Sequence, residues 1–425
     1  LGVVREWLAA DVLSGSRLLV VTERAVDAGS ETLVEVAGAS AWGLVRAIQS
    51  ENPGRVLLAD VDDVADAGVE VVLRAGVASG EAQFVVRSGQ VRVPRLGRAV
   101  PGLRVPAEGG WRLGFSERGT LDNLVLAPAG SGELGVGEVR VGLRAAGVNF
   151  RDVLNVLGMY PGEAGLLGLE GAGVVLEVGS GVSGLRPGDA VMGLFSGAFT
   201  AEAVTDARLL APVPVGWSMA EAAAAPVVFL TAWYALVELA GLQSGESVLV
   251  HAAAGGVGIA AVQLARHLGA EVFATASPSK WAAVRELGVD ASHIASSRTT
   301  EFEAVFRDVS GGRGVDVVLD SLAGEFVDAS LRLTRPGGRF VEMGKTDIRD
   351  PEEVERLHRV AYQAFDLLQQ DPGVIGAMLS SLTELFARGV LRPLPVACWD
   401  VRRAVDAFRF LSQARHIGKV VLTVP

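Results

Sequence analysis

Cysteine is almost missing from this chain: Cys398 is the single one in 425 residues. A lone thiol excludes a disulfide framework and any cysteine-rich zinc site. Histidine is scarce too, with five residues at 251, 267, 293, 358 and 416 and no metal-ligand spacing among them. Long apolar runs are also lacking. The most apolar stretch, 222–237, has 16 residues, is bounded by Glu221 and Glu238 and is interrupted by Pro226. That is too short to cross about 30 Å of hydrocarbon. The opening LGVVREWLAADVLSG carries acidic residues and has no cleavable signal pattern, so the expectation is a soluble, cytoplasmic protein without a membrane partner. Positive charge is in deficit, with a net charge of −11, which argues against a nucleic-acid binder. Charged residues make up only 20% against 50% hydrophobic, too few for disorder and ample for large cores. The length implies two or three domains.

Glycine, by contrast, is abundant: 53 of 425 residues, with no Gly-X-Y period. Such a surplus belongs to tight turns and close backbone approaches, as in nucleotide-binding α/β folds. The first hundred residues alternate strand-like and helix-like runs. Ser16–Thr22 and Arg55–Val61 read as strands, and Ser40–Ser50 as a helix capped by Ser40. Residues 84–93 read as a hairpin. This block carries no glycine-rich phosphate loop and no Ser-Tyr-Lys set, so it reads as a structural layer without chemistry. A Pro/Gly-punctuated linker follows at Pro94–Gly110. Short β-like runs then extend from Trp111 to Pro214, among them Glu138–Leu143 and Gly173–Val178, with a turn at Leu185–Asp189. From about Ala220 strands alternate with helices. Ser247–His251, Glu271–Thr275, Val315–Leu319 and Arg339–Glu342 are the strands of a doubly wound parallel sheet, and Val420–Thr423 is a further strand.

The strongest local signal is SVLVHAAAGGVGIAAVQLAR, Ser247–Arg266. A buried strand runs into Ala253-Ala254-Gly255-Gly256-Val257-Gly258 and then into a helix of 3.6-residue period. Glycines allow the tight turn and the approach of a pyrophosphate, whose charge is favoured at the helix N-terminus. The end of the next strand, where cofactors are told apart, reads Ala276-Ser277-Pro278-Ser279-Lys280. An acidic residue there would select a free ribose 2′-hydroxyl. Hydroxyls and a lysine instead suit a 2′-phosphate, so NADPH is expected over NADH.

The segments GVNFRDVLNVLGMYPG (Gly147–Gly162), GLEGAGVVLEVGSGV, PGDAVMGL, HAAAGGVG, DSLAGEF and MGKTDIRDP resemble the enoylreductase domain of modular type I polyketide synthases. That domain is a zinc-free member of the medium-chain dehydrogenase/reductase superfamily, and the likeness runs from about residue 108 to 425. VREWLA, AWGLVRAIQSENPGR and PRLGRA resemble the non-catalytic structural half of a polyketide-synthase ketoreductase. The resemblance implies an α/β protein: a Rossmann-type doubly wound parallel sheet, a mainly-β GroES-like substrate domain, and an N-terminal truncated Rossmann-like α/β subdomain. The expected division is 1–104 for the ketoreductase structural subdomain, 108–225 with 367–425 for the substrate domain, and 226–366 for the NADPH-binding domain. Zinc relatives show Gly-His-Glu where this chain has Gly168-Leu169-Glu170, so zinc is not expected.

The implied reaction is NADPH-dependent reduction of the α,β-double bond of an enoyl thioester carried on acyl carrier protein, next to further synthase domains that include the catalytic ketoreductase half. Such a reduction needs a hydride at the β-carbon, a proton at the α-carbon, and donors to the thioester oxygen where enolate charge develops. By resemblance the proton-donor candidates are Tyr160 and Lys345, with Asp366 orienting the lysine. Asn149, Thr231 and Tyr234 would border the nicotinamide, Gly255, Gly256 and Val257 the pyrophosphate, and Ser277, Lys280 and Arg298 the 2′-phosphate end. Ser321, Met343 and Gly344 would line the cofactor's sheet edge, and Arg415–Lys419 would close over it. His251, at the end of a buried strand, reads as a hydrogen-bonded core residue. Two other readings stand beside this one: a stand-alone NADPH quinone or enone oxidoreductase, and a non-catalytic NADPH-binding scaffold.

Overall fold

The computed structural model describes residues 2–26, 36–64, 68–87, 89–95, 102–106, 109–130, 132–162 and 165–424. The chain forms two compact units, Leu1–Pro101 and Gly102–Pro425.

In the first unit, helix α1 (Gly2–Ala9) precedes β1 (Leu18–Glu23), α2 (Val36–Glu51), β2 (Val56–Val61), α3 (Val69–Ala78), β3 (Gln83–Arg87) and β4 (Gln90–Arg92). The strands form one sheet in the order β1-β2-β3-β4, parallel except for the antiparallel β3–β4 hairpin. Residue 88 of that hairpin's turn lies outside the described residues, as do 96–101 and 107–108 of the expected linker. Helix α2 begins at Val36, not at a Ser40 cap. Gly38 and Ser40 are weak helix formers, but packing of Trp42 and Val45 on Val56 and Leu58 carries the helix through them. Asp60, fully buried in β2, binds the Arg87 guanidinium at 2.5 Å and accepts from the Thr22 hydroxyl and the Ala25 N–H. A buried charge needs this degree of pairing.

The second unit opens with β5 (Trp111–Phe115), β6 (Leu124–Pro128), β7 (Glu138–Val148), α4 (Phe150–Val156), β8 (Glu170–Val178), β9 (Ala190–Leu194), β10 (Glu202–Asp206) and β11 (Leu210–Pro212). Then follow α5 (Met219–Ala223), α6 (Pro226–Trp233), β12 (Ser247–Val250), α7 (Gly256–His267), β13 (Glu271–Ala276), α8 (Trp281–Glu286), β14 (Ile294–Ser296), α9 (Phe302–Val309), β15 (Val315–Asp320), α10 (Glu325–Leu333), β16 (Thr334–Glu342), α11 (Pro351–His358) and β17 (Ala361–Ala364). The remaining elements are α12 (Pro372–Ala387), β18 (Val396–Asp400), α13 (Ala404–Ser412) and β19 (Lys419–Thr423).

Strands β12–β17 make a six-stranded parallel sheet in the order β14-β13-β12-β15-β16-β17. The strand order reverses between β12 and β15, which opens a crevice at their carboxyl ends. The sheet is buried on both faces. Val248, Val250, Ala274, Leu319 and Val341 pack on one side, with α6, α7 and α12. Leu249, Phe273, Val318 and Phe340 pack on the other, with α9, α10 and α11. This alternation explains why the strands read as unbroken apolar runs. The second sheet follows β11-β9-β8-β7-β19-β18, with β10 also on β7. Among the described residues no helix is long and apolar enough to cross a membrane.

Candidate active site

Three segments converge where β12 ends. The glycine loop turns on Ala252 (φ +49°), and Gly255 N–H donates to the Ala252 carbonyl. A Cβ on Gly258 would lie 2.4 Å from Ala252 O and 2.6 Å from Ala253 Cα, so only glycine lets α7 start this close to the strand. No side chain caps α7, which leaves its first N–H groups turned to the loop mouth, a cradle suited to a pyrophosphate. The segment before β19 lies along this loop. Gly418 donates to Ala254 O at 2.9 Å, and Gly255 and Gly418 form a parallel bridge.

The next residue, Lys419, is buried with its Nζ 2.6 Å from Glu170 Oε1 and 2.6 Å from Asn149 Oδ1. Glu170 Oε1 also accepts from Asn149 Nδ2, and Oε2 accepts from the Val227 N–H in the first turn of α6. Asn149 N–H donates to Asp152, whose other oxygen accepts from Gly168 N–H. Gly168 has φ +86°, with backbone nitrogens of Ala198 and Phe199 2.9 Å from where a Cβ would stand. Burial pushes Asp152 up to about 6 despite these donors. Glu170 and Asp152 were not singled out from the sequence as site residues, and Lys419 entered only within Arg415–Lys419, the segment expected to close over the cofactor; the lysine that opens the apolar strand KVVLT was the available signal for its pairing.

At the ends of β15 and β16 the structure brings other expected residues together. Lys345 Nζ donates to Phe365 O at 2.5 Å and lies 3.5 Å from Asp366 Oδ2. Asp366 Oδ1 accepts from Leu368 N–H. The Tyr234 ring sits 5.4 Å from that of Phe365, and Thr231 is buried one helical turn earlier. Ser321, Met343 and Gly344 follow the two strand ends, with Met343 N–H on Asp320 O. Beneath them Asp320 and Glu342 are register partners, both buried. Glu342 accepts from Gly344 N–H, while burial and the neighbouring Asp320 charge hold its proton far above the ordinary 4.5. His251 is the hydrogen-bonded core residue expected, held by Thr275 and Ser330.

At the far end of the crevice stand Ser277, Lys280 and Arg298, after β13 and β14. Lys280 Nζ donates to the carbonyls of Ala414 and His416 at 2.7 and 2.6 Å. Burial and the Arg298 charge lower its pKa. His416 is pushed down to about 4 by burial and by Lys280 and Lys419. Tyr160 belongs to a different element, the loop after α4. Its N–H donates to Leu154 O, and the Arg151 guanidinium lies 5.1 Å from its ring centre.

The donor set does not fit zinc. Glu170 is bound by an ammonium, and among the described residues no group of three His, Cys, Asp or Glu side chains is placed to hold a metal.

A dinucleotide-type parallel sheet paired with a GroES-like sheet defines a medium-chain dehydrogenase/reductase. Family models agree: residues 1–96 match "Polyketide synthase extender module SpnB, Rossmann fold domain", 135–231 "Alcohol dehydrogenase GroES-like domain", and 289–422 "Zinc-binding dehydrogenase". The spectinabilin polyketide synthase system protein NorB of Streptomyces orinoci is 57% identical over 432 residues, covering 100% of this chain. The chain spans about a fifth of that relative's length, 20%. Among solved structures, CurK enoyl reductase is 42% identical, with a TM-score of 0.71 over 75% of this chain and 100% of its own. Mycobacterial Rv1454c, solved in complex with NADPH, is 27% identical, with a TM-score of 0.68 over 74% of this chain and 100% of its own. The chain belongs to the enoylreductases of modular polyketide synthases.

Two predictions arise from the buried charges. Lys419→Met strands the Glu170 carboxylate and should cost about 3–5 kcal/mol, whereas Lys419→Met with Glu170→Leu should recover most of that loss. Denaturant unfolding of both variants checks this, and an equal loss in the double variant would contradict it. The second concerns pH. The folded state keeps the Glu342 proton that the unfolded chain releases near 4.5. The stabilisation is therefore full below that pH and declines above it, by up to about 1.4 kcal/mol per pH unit. Glu342→Gln removes the slope, so its stability relative to wild type should rise between pH 5 and 8. Parallel unfolding curves across that range would rule this out.

Proposed function

We propose that this enoylreductase uses NADPH to reduce the α,β-double bond of an enoyl thioester presented by an acyl carrier protein. The observation that carries the reading is the Lys345–Asp366 pair at the end of β16, beside the crevice headed by the glycine loop. When bound, NADPH supplies the hydride for the β-carbon. Gly255, Gly256 and Val257 would hold its pyrophosphate, Asn149, Thr231 and Tyr234 would border the nicotinamide, and Ser321, Met343 and Gly344 would line the sheet edge. Ser277, Arg298 and the remaining donor of Lys280 would take the 2′-phosphate.

The chain's own part is the proton. As the double bond is reduced, its electron pair moves onto the thioester oxygen as an enolate. The enolate collapses when the α-carbon takes a proton from a positioned acid. Lys345, aimed by Phe365 O and Asp366, is one source, and Tyr160 is the other. Fixing these donors before reaction is what lowers the barrier. We propose the domain division 1–104, 108–225 with 367–425, and 226–366. Relatives such as NorB, of which this chain matches 20%, support neighbouring synthase domains as partners.

Stopped-flow oxidation of NADPH with a crotonyl thioester against a quinone tests the reading; faster quinone turnover would overturn it. With a 2-methyl enoyl thioester, removing the true acid should slow reduction by about 10²–10⁴ or invert the α-carbon. Chiral analysis of the products of Tyr160→Phe and Lys345→Ala names which residue it is. If Tyr160→Phe changes neither rate nor configuration, the tyrosine is pocket wall.

Lys280→Glu should weaken NADPH binding by about 10- to 150-fold more than NADH binding. Equal losses for both cofactors would leave Lys280 with the 414–416 carbonyls alone.

A further inference from the structure

Strands β15 and β16 both end on a carboxyl, and the two are register partners, Asp320 at 0% and Glu342 at 1% exposure. Two acids in an apolar sheet are costly, and an apolar pair of similar size would serve the sheet as well. What they hold is the turn above them. Asp320 Oδ2 accepts from Leu322 N–H at 2.8 Å, and its carbonyl from Met343 N–H at 3.0 Å. Glu342 Oε1 accepts from Gly344 N–H at 2.5 Å, and its carbonyl from Phe365 N–H at 3.1 Å. Gly344 leads straight into Lys345, and Phe365 O is the acceptor of the Lys345 ammonium. Glu342 therefore grips the lysine at both ends. Its side chain fixes the backbone from which the lysine springs, and its main chain fixes the carbonyl to which the ammonium points.

The fit is close. A Cβ on Gly344 would stand 2.7 Å from Glu342 Oε1, so glycine at 344 is what lets the carboxyl reach the turn. The remaining oxygens, Asp320 Oδ1 and Glu342 Oε2, take no hydrogen bond from any other described group, and the proton that Glu342 keeps is what joins them. His251 backs Asp320, its Nε2 3.5 Å from Oδ1. A carboxyl that donates to one side and accepts from the other is locked in one rotamer, as a support for a reacting group has to be.

We infer that Glu342, anchored by Asp320, is a positioning residue for the reduction: it holds the frame of Gly344 and Phe365 in which Lys345 meets the substrate. The inference rests on the proposed reductase reading for what the lysine does, and on these hydrogen bonds for what the glutamate does.

Glu342→Gln keeps an oxygen for Gly344 N–H and offers an amide N–H to Asp320, so in the full chain it should retain kcat for crotonyl-pantetheine within about threefold. Glu342→Leu keeps the bulk and neither bond. It should lower kcat by about 10- to 100-fold, as a misplacement near 1 Å does, with KM and the NADPH dissociation constant unchanged. In a Lys345→Ala background the same substitution should cost nothing further, because the glutamate acts through the lysine. Equal falls in Glu342→Gln and Glu342→Leu, wild-type rates in Glu342→Leu, or the same loss with and without Lys345 would each overturn the inference. Should Glu342→Leu not fold, Glu342→Asp, one methylene too short for Gly344 N–H, takes its place with the same expectations. Hydrogen exchange at the Gly344 amide reads the frame without turnover, and should quicken about tenfold in Glu342→Leu but not in Glu342→Gln. Unaltered exchange overturns the inference whatever the rates do. Quickened exchange in a protein whose wild type reduces no enoyl thioester would keep the glutamate's grip on the lysine while refuting the reductase reading.

Discussion

The buried ion pair between Lys419 and Glu170 is the constraint on which the rest of the second unit depends. An ammonium and a carboxylate this deep are tolerable only if every donor and acceptor is met. Meeting them recruits Asn149 at the end of β7, the start of β8, the first turn of α6 and the strand that follows the glycine loop's neighbour Gly418. One charge pair thus fixes the spacing between the nucleotide-binding sheet and the second sheet.

Charge is distributed unevenly around the crevice. The molecule carries −11 overall, yet the carboxyl edge of the parallel sheet carries Lys280, Arg298 and Lys345, the last beside Asp366, while Lys419 in the second sheet is met by Glu170. Of the two carboxyls under that edge, Glu342 keeps its proton because burial and Asp320 oppose its ionisation. His416 is kept uncharged for the related reason that burial and two lysines oppose its protonation. The end of the crevice where Lys280 and Arg298 lie close enough for one charge to act on the other is the part that favours an anion.

Much of this was legible in the sequence, and the parts that were not share a cause. The glycine loop and the alternating strands announce themselves through local pattern, because a parallel strand and a strand-to-helix turn each fit within a few residues, whereas Lys345 and Asp366 were named only through the family resemblance. Strand β17 is short and half exposed, and the turn after α6 widens into a π-helix at Tyr234–Leu239, neither of which has a periodic signature. Helix α2 extends past weak formers because tertiary contacts outweigh propensity. Asn149 and Lys419 lie 270 positions apart, and no window along the chain could have joined them. Lys280 was legible as a cation near the adenine end, but not as the donor to the 414–416 carbonyls.

The position of β19 carries a consequence for the order of events during synthesis. It lies between β7 and β18, with Val420 opposite Val148. Everything from α4 to α13 must therefore leave the ribosome before that place in the sheet can be filled. At about 5–20 residues per second the wait is roughly 15–55 s. Until then the Ala145–Val148 end of β7 offers unpaired backbone groups beside apolar side chains, an edge prone to pairing with strangers. The nucleotide-binding sheet has to fold as a guest inside an unfinished host, and β19, made after all of it, closes the host.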